Sequence, residues 1–339
     1  MIGKEKRSRA RASPLNTYER SYPYSFLNFH LILNCENTVK QSHELRFGIA
    51  FVPDVPWDEF LRRFLYIEEL GFDIAGLGDH FAHFWFPSQP WFEAWTILSA
   101  LATQTSKIRI GTLVTPIAWR NPAFLAKQAV MVDHISHGRL ELGLGAGVGW
   151  DPSYEMTGIP NWGPRERVAR FREYVEIVDQ LLSNEVTNYE GRYYRVKEAV
   201  MSPRPVQKPR LPITIAATGP RMLKLAARFA DTWTTLGPAE RLEEICSRNG
   251  LVDECCREIG RDPRTLRRSY WFMYMDAEKE KGLFDYYDSE DAFREMVRPY
   301  INMGVSEVLL SYPYRDEQLP MFEKIAKEVI PELKAEYNN

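Results

Sequence analysis

The stretch Gly76-Leu77-Gly78-Asp79-His80-Phe81 sets a carboxylate beside an imidazole just after a short apolar run, Ile74-Ala75-Gly76-Leu77. A run of that kind, preceded by the turn residues Gly71-Phe72-Asp73, reads as a strand buried on both faces. The far ends of such strands are where barrels gather their chemistry. There Asp79 can orient one tautomer of His80 and tune its basicity, as a group that passes protons near neutral pH requires. A structural pair fits the same residues, with Asp79 capping the next segment and His80 bonding a backbone carbonyl.

Two glycine-bearing segments follow later strands. Leu142-Gly-Leu-Gly-Ala-Gly-Val-Gly-Trp150 lets a planar ring or a phosphate approach the backbone with no Cβ in the way. It has no Walker pattern, so it does not by itself specify a nucleotide. Ala216-Ala217-Thr218-Gly219-Pro220 leads into a helix, where Thr218 and Gly219 are placed to meet an anion or simply to cap the helix. Phe84, Trp85 and Phe86 give the loop Phe81 to Trp91 an aromatic character, and Trp150 and Glu155 stand on a second loop, Trp150 to Gly163. These side chains are candidates for a substrate pocket, with Glu155 a candidate acid or a solvated carboxylate. His80 with His83 and His134 with His137 share a spacing that suggests metal ligands. One pair follows a strand and the other precedes one, so they fall at opposite ends and no metal is expected. Arg165, Arg167 and Arg170 open a long helix and fit a solvated face more readily than a polyanionic tail.

The elements that must hold these residues are legible from Arg46 onward. Strands are expected at 46–52, 74–77, 107–112, 140–144, 213–216, 231–235, 268–275 and 307–310, alternating with helices at 57–70, 92–103, 122–135, 165–182, after Pro220, 239–259 and 318–329. The alternation breaks once, at Val186 to Met201, where Tyr-Glu-Gly-Arg-Tyr-Tyr signals a hairpin before the fifth strand. The fold class is therefore α/β: a (β/α)8 TIM barrel with an insertion after strand 4 and a small hairpin before strand 5.

The chain has 339 residues, 45% of them hydrophobic, enough for one large barrel with a sizeable core. A net charge of -3 gives no pull toward nucleic acid, and no apolar run is long enough to cross a bilayer. The four cysteines lack metal-ligand spacing and are too sparse for a disulfide framework, so reduced thiols and a cytoplasmic location are expected. Residues 1–45, with Lys4, Lys6, Arg7, Arg9 and Arg11 at their front, read as a basic, weakly ordered extension to a barrel domain at 46–335.

Several spaced motifs carry a family resemblance. Glu68-Glu-Leu-Gly-Phe-Asp73, Gly78-Asp-His-Phe81, Ile110-Gly-Thr-Leu-Val-Thr-Pro116, Arg120-Asn-Pro122, Ser136-His-Gly-Arg-Leu140, Gly143-Leu-Gly-Ala-Gly147 and Pro212-Ile-Thr-Ile215 occur in order along the chain. Together they resemble the luciferase-like flavin-dependent oxidoreductases. The resemblance implies a flavin in the barrel mouth, backed by a bulge at Thr112, Leu113 and Val114 with a non-prolyl cis peptide near Leu113-Val114. Gly145, Ala146 and Gly147 would line the ring edge, and Ala217, Thr218 and Gly219 would hold the phosphate. The Asp-His-Phe string looks like the branch that uses the deazaflavin coenzyme F-420, in which Asp79 contacts the ring region and His80 handles a proton during hydride transfer. Where sugar-phosphate dehydrogenases of that branch carry a catalytic glutamate and a tryptophan, this chain has Val148 and Phe84, with Trp85 adjacent. The alternative branch binds FMN, uses oxygen as a monooxygenase and takes its reduced flavin from a reductase. A catalytically silent flavin-binding partner subunit is a further alternative. The resemblance also implies a homodimer acting on a small-molecule substrate, which the aromatic loops suggest is apolar.

Overall fold

The computed structural model describes residues 42–237, 242–273 and 285–338. Most of the basic extension, the start of the helix expected from Ala239 and the end of the strand expected to reach Met275 lie outside these residues. Eleven strands are described: β1 (Arg46–Phe51), β2 (Ile74–Leu77), β3 (Arg109–Thr112), β4 (Thr115–Pro116), β5 (Leu140–Gly145), β6 (Val186–Glu190), β7 (Arg195–Val200), β8 (Ile213–Ala216), β9 (Thr232–Gly237), β10 (Arg267–Phe272) and β11 (Glu307–Ser311). Nine form one parallel sheet in the order β3-β2-β1-β11-β10-β9-β8-β5-β4, and a β3–β5 pairing closes the ring. Because β4 continues β3 beyond a two-residue bulge, the closed barrel has eight staves. β6 and β7 stand apart as the antiparallel hairpin before the fifth stave.

Helices cover the barrel for reasons visible in their sequences. α1 (Trp57–Glu69) buries Phe60, Phe64 and Ile67 at helical spacing and carries Asp58 and Glu59 in its first turn, where the dipole favours acids. α2 (Ala94–Gln104) is capped by Glu93, whose carboxylate accepts the Trp95 and Thr96 amides. α3 (Pro122–Ile135) begins with a proline and is capped by the Asn121 side chain. After the short α4 (Ser153–Thr157), α5 (Pro164–Ser183) buries Phe171, Val175, Val178 and Leu182. α6 (Pro220–Phe229), α7 (Leu242–Glu258) and α8 (Glu290–Asn302) complete the outer ring. The last helix departs from expectation. The sequence stops it at Val329, ahead of Pro331, which lacks a donor. Instead α9 (Leu319–Lys324) runs through a π-helical turn (Ile325–Val329) into α10 (Ile330–Tyr337), and the widened turn carries the helix past Pro331.

The N-terminal end of the barrel is plugged by charge. Arg46 opens β1 and forms two 2.7 Å bonds to the Glu141 carboxylate, and it also pairs with Glu307. Arg109 adds a bond of 2.5 Å to Glu141. His134, on the same side, bonds the Arg204 carbonyl at 2.8 Å, away from His80.

Close strand packing also dictates one glycine. A Cβ at Gly143 would stand 1.9 Å from the Thr112 carbonyl oxygen and 3.1 Å from a Val114 methyl. That backbone cannot give way without moving the bulge. Gly143→Ala is expected to lower stability by about 1–3 kcal/mol or more, read as a drop of several degrees in melting temperature. A melting temperature equal to the wild type's would show that the bulge is softer than its packing implies.

One expectation about side chains is corrected, while Cys255 and Cys256 are free and buried. Arg167 and Arg170 are not on a solvated face. Arg167 is buried against Tyr154, and Arg170 lies between the Trp162 and Tyr193 rings at 4.2 and 4.3 Å, because flat guanidinium groups pack readily on aromatic faces. Arg165 is exposed, as expected.

Candidate active site

Asp79 and His80 follow β2 on consecutive residues, yet their side chains find different partners. Asp79 turns inward and is 1% exposed. Its carboxylate accepts bonds from the Thr115 hydroxyl at 2.8 Å and from Arg120 Nη1 at 2.5 Å, while its carbonyl accepts the Trp119 indole N–H at 2.8 Å. Arg120 in turn pairs with Glu93. Burial pushes the Asp79 carboxyl above its ordinary range, and the Arg120 guanidinium and Thr115 hydroxyl pull against it. Asp79 therefore ties the end of β2 to β4 and to the start of α3. It is not the partner of His80.

That partner is Asp151. His80 Nδ1 lies 2.6 Å from Asp151 Oδ2, and the other Asp151 oxygen accepts the Ser153 amide at 2.8 Å. Burial pushes the Asp151 carboxyl up, but the bond and charge of His80, with the Ser153 amide, outweigh this and hold it below the ordinary carboxylate range. A second tie joins the same two loops, since the Phe81 amide donates to the Ser153 hydroxyl at 3.2 Å. The His80 ring rests against Phe84 and Trp91, each with its centroid 5.3 Å away. Its side chain is 20% exposed, and no described residue bonds Nε2.

The loop after β2 is an aromatic wall. Phe84 lies 5.8 Å from Trp91 and 6.1 Å from Trp150, and Trp85 stacks on Trp150 at 5.3 Å with their planes 7° apart. Phe84 also packs, with Leu113, on the core formed by Ala50, Ile74, Trp271, Met273 and Leu309. His83 supports this loop from within. Its Nδ1 accepts the Trp85 and Phe86 amides, both at 3.1 Å, and burial, with the nearby His80, lowers its pKa to about 4. His83 is thus uncharged at neutral pH, accepting at Nδ1 with its proton on Nε2.

The other expected residues fall into place unevenly. The Leu113–Val114 peptide is cis, and both side chains are partly exposed at the bulge between β3 and β4. Thr112 is buried and donates to the Gly143 carbonyl at 2.8 Å. Gly145 is buried at the end of β5, followed by the partly exposed Ala146 and Gly147. Ala217 is buried, with its amide on the Thr234 carbonyl, while Thr218 and Gly219 front the open N-terminus of α6. Val148 and Trp150 are exposed, and so is Glu155, on the outer side of α4. Asp151, Thr115, Trp119, Arg120 and Trp91 belong to the site and were missed as site residues. Asp151-Pro-Ser153 looks like an ordinary helix start, and half of that reading is right: one oxygen does cap. Among the described residues, no three His, Cys, Asp or Glu are grouped to hold a metal ion, and no helix is long and apolar enough to cross a membrane.

A closed eight-stave barrel, with an imidazole–carboxylate pair and an aromatic wall at the C-terminal ends of its strands, is the architecture of a barrel enzyme. The chain belongs to the luciferase-like monooxygenase family, whose model matches residues 28–330. Among curated proteins it is 33% identical over 239 residues to a 5,10-methylenetetrahydromethanopterin reductase of Archaeoglobus fulgidus, covering 70% of this chain and 67% of that one. It is 27% identical over 313 residues to an F420-dependent glucose-6-phosphate dehydrogenase of Segniliparus rotundus, covering 79% and 91% respectively. The fold superposes on the coenzyme F420-dependent tetrahydromethanopterin reductase of Methanopyrus kandleri with a TM-score of 0.68 at 20% identity, over 86% of this chain and 99% of that one.

Proposed function

We propose that this protein is an oxidoreductase that moves hydride between a carbon of a small organic substrate and the deazaflavin coenzyme F-420, with His80 handling the accompanying proton. The observation that carries this reading is His80 itself: held at Nδ1 and free at Nε2, at the strand ends of a barrel whose relatives are named for that coenzyme.

The residues suit such a coenzyme. Leu113 and Val114 offer a partly exposed apolar platform, beside the glycine-lined edge from Gly145 to Gly147. At Gly219 a Cβ would meet nothing within 4 Å, which leaves the N-terminus of α6 open to a phosphate together with Ala217 and Thr218. The indole N–H groups of Trp85 and Trp91 are buried without partners among the described residues, Trp91 against the His80 ring and Trp85 against Trp150. When bound, the coenzyme supplies a carbon centre that accepts or returns hydride. The chain's part is to seat it on the platform, screen it with Phe84, Trp85 and Trp150, and hold a proton at His80 Nε2. Asp79 takes an indirect role in this proposal, fixing β4 through Thr115 and α3 through Arg120. Val148 has no proton to give, so sugar phosphates are not the proposed substrates; apolar alcohols, imines and enones suit the aromatic wall.

FMN-dependent oxygen chemistry is the second reading. The Trp85–Trp150 stack supports it, since it spans two loops and shields the mouth from water. In that case a flavin reductase is the partner. Fluorescence titration of the purified protein with each coenzyme decides between them. Tight deazaflavin binding with FMN ignored is the expected outcome, and the reverse preference would overturn the proposal. A homodimer is part of the proposal, checked by light scattering.

A further inference from the structure

We infer that Asp151 is a positioning residue for the proton-handling step, holding His80 with a proton on Nδ1 and presenting the Nε2 edge to the substrate. The reaction it serves rests on the reading above; the geometry does not.

Three observations converge. The Nδ1–Oδ2 separation of 2.6 Å is that of a charge-assisted hydrogen bond, and a carboxylate can only accept, so the proton lies on Nδ1. The carboxylate is itself fixed: Asp151 is 4% exposed, and its second oxygen is committed to the Ser153 amide. The ring has little room to turn, with Phe84 and Trp91 both against it and the Phe81 amide tied to Ser153 on the next residue. An imidazole flipped about its Cβ–Cγ bond would lose the carboxylate and bury Oδ2 unpaired, which is costly.

This arrangement serves both directions of a hydride transfer. In the oxidising direction, where a bound deazaflavin would take the hydride from the substrate C–H, the O–H or N–H proton would pass to the lone pair on Nε2. In reduction, Nε2–H returns that proton as carbon receives hydride. Asp151 keeps its charge throughout and stabilises the imidazolium formed between the two events. Asp79 does not do this: its Oδ2 accepts from Thr115 and Arg120 Nη1, its Oδ1 faces Arg120 Nη2, and the His80 Nδ1 bond goes to Asp151.

Histidine-labelled protein, free of coenzyme, tests the inference by nitrogen NMR, with His80→Gln to assign the His80 signals. In the wild type, His80 should show a proton on Nδ1. In Asp151→Asn, whose amide can donate toward the ring while still capping at Ser153, the Nε2–H tautomer should appear. Asp151→Ala should give a mixture of tautomers. An unchanged His80 pattern in Asp151→Asn with an unchanged melting temperature would overturn the inference, and so would a wild-type ring protonated only on Nε2. Deazaflavin titration of the same samples keeps the two readings apart. Wild-type protein that ignores the coenzyme overturns the proposed reaction and leaves the tautomer result standing.

Discussion

His80→Ala should slow hydride exchange with the deazaflavin by roughly 10²- to 10⁴-fold, the range a positioned acid–base group contributes. Coenzyme affinity should barely change. The ring contacts of His80 are Asp151, Phe84 and Trp91, whereas the proposed coenzyme platform is built from the Leu113–Val114 bulge, the glycine edge and the α6 N-terminus. Rate and affinity therefore report different residues. The measurement is oxidation of the reduced coenzyme by a panel of apolar ketones, imines and enones, followed in stopped flow with the best wild-type substrate. His80→Gln fills the same space without an ionisable ring and should behave like the alanine variant. If either variant turns over at a rate near the wild type's, His80 is not the proton carrier. If coenzyme affinity collapses along with the rate, its role is in binding.

The barrel was largely legible in the sequence because most staves are largely apolar runs closed by glycine or proline punctuation, as at Gly78, Pro116, Gly145 and Pro313. Ile74–Leu77 and Ile213–Ala216 have the expected bounds, and Pro122 and Pro220 mark helix starts correctly. The placement of the candidate site at the strand ends was legible for the same reason, since strand ends follow from strands. What the pattern could not give was pairing across loops. Adjacency suggested that Asp79 serves His80, yet Asp79 is held by Thr115 and Arg120, and Asp151, 71 positions on, meets the imidazole instead. Nothing local distinguishes Asp151 from a turn residue. The same blindness applies to Arg120, a family-motif residue whose partners Asp79 and Glu93 lie 41 and 27 positions away, and to Trp85 with Trp150. Contacts within an element follow from its period, whereas contacts between loops follow from barrel closure, which a linear reading does not contain.

At the opposite end of the barrel, Arg46→Met is expected to lower stability by about 3–5 kcal/mol, the usual consequence of removing one partner from a buried ion pair. Glu141 and Glu307 are 5% and 2% exposed and share the Arg46 guanidinium, so its loss leaves Glu307 unpaired and Glu141 with Arg109 alone. Acid should act on the same group. Burial alone would raise the Glu141 carboxyl, but Arg46 and Arg109 overcome it and bring its pKa from 4.5 down to about 2. A carboxyl depressed on folding adds stability above its unfolded value and loses that contribution as pH falls toward its folded value. The window therefore runs from pH 4.5 down to about 2. The amount at stake is on the order of 3 kcal/mol. Chemical denaturation at a series of pH values should show wild-type stability falling through this window, and Glu141→Gln, less stable at neutral pH, falling less steeply. Parallel curves for the two proteins would mean that acid sensitivity arises elsewhere. Because this plug sits at the N-terminal ends of β1, β3, β5 and β11, far from His80, Arg46→Met should change melting without changing the deazaflavin preference of whatever protein remains folded. A shift in coenzyme preference in that variant would show that the two ends of the barrel are coupled.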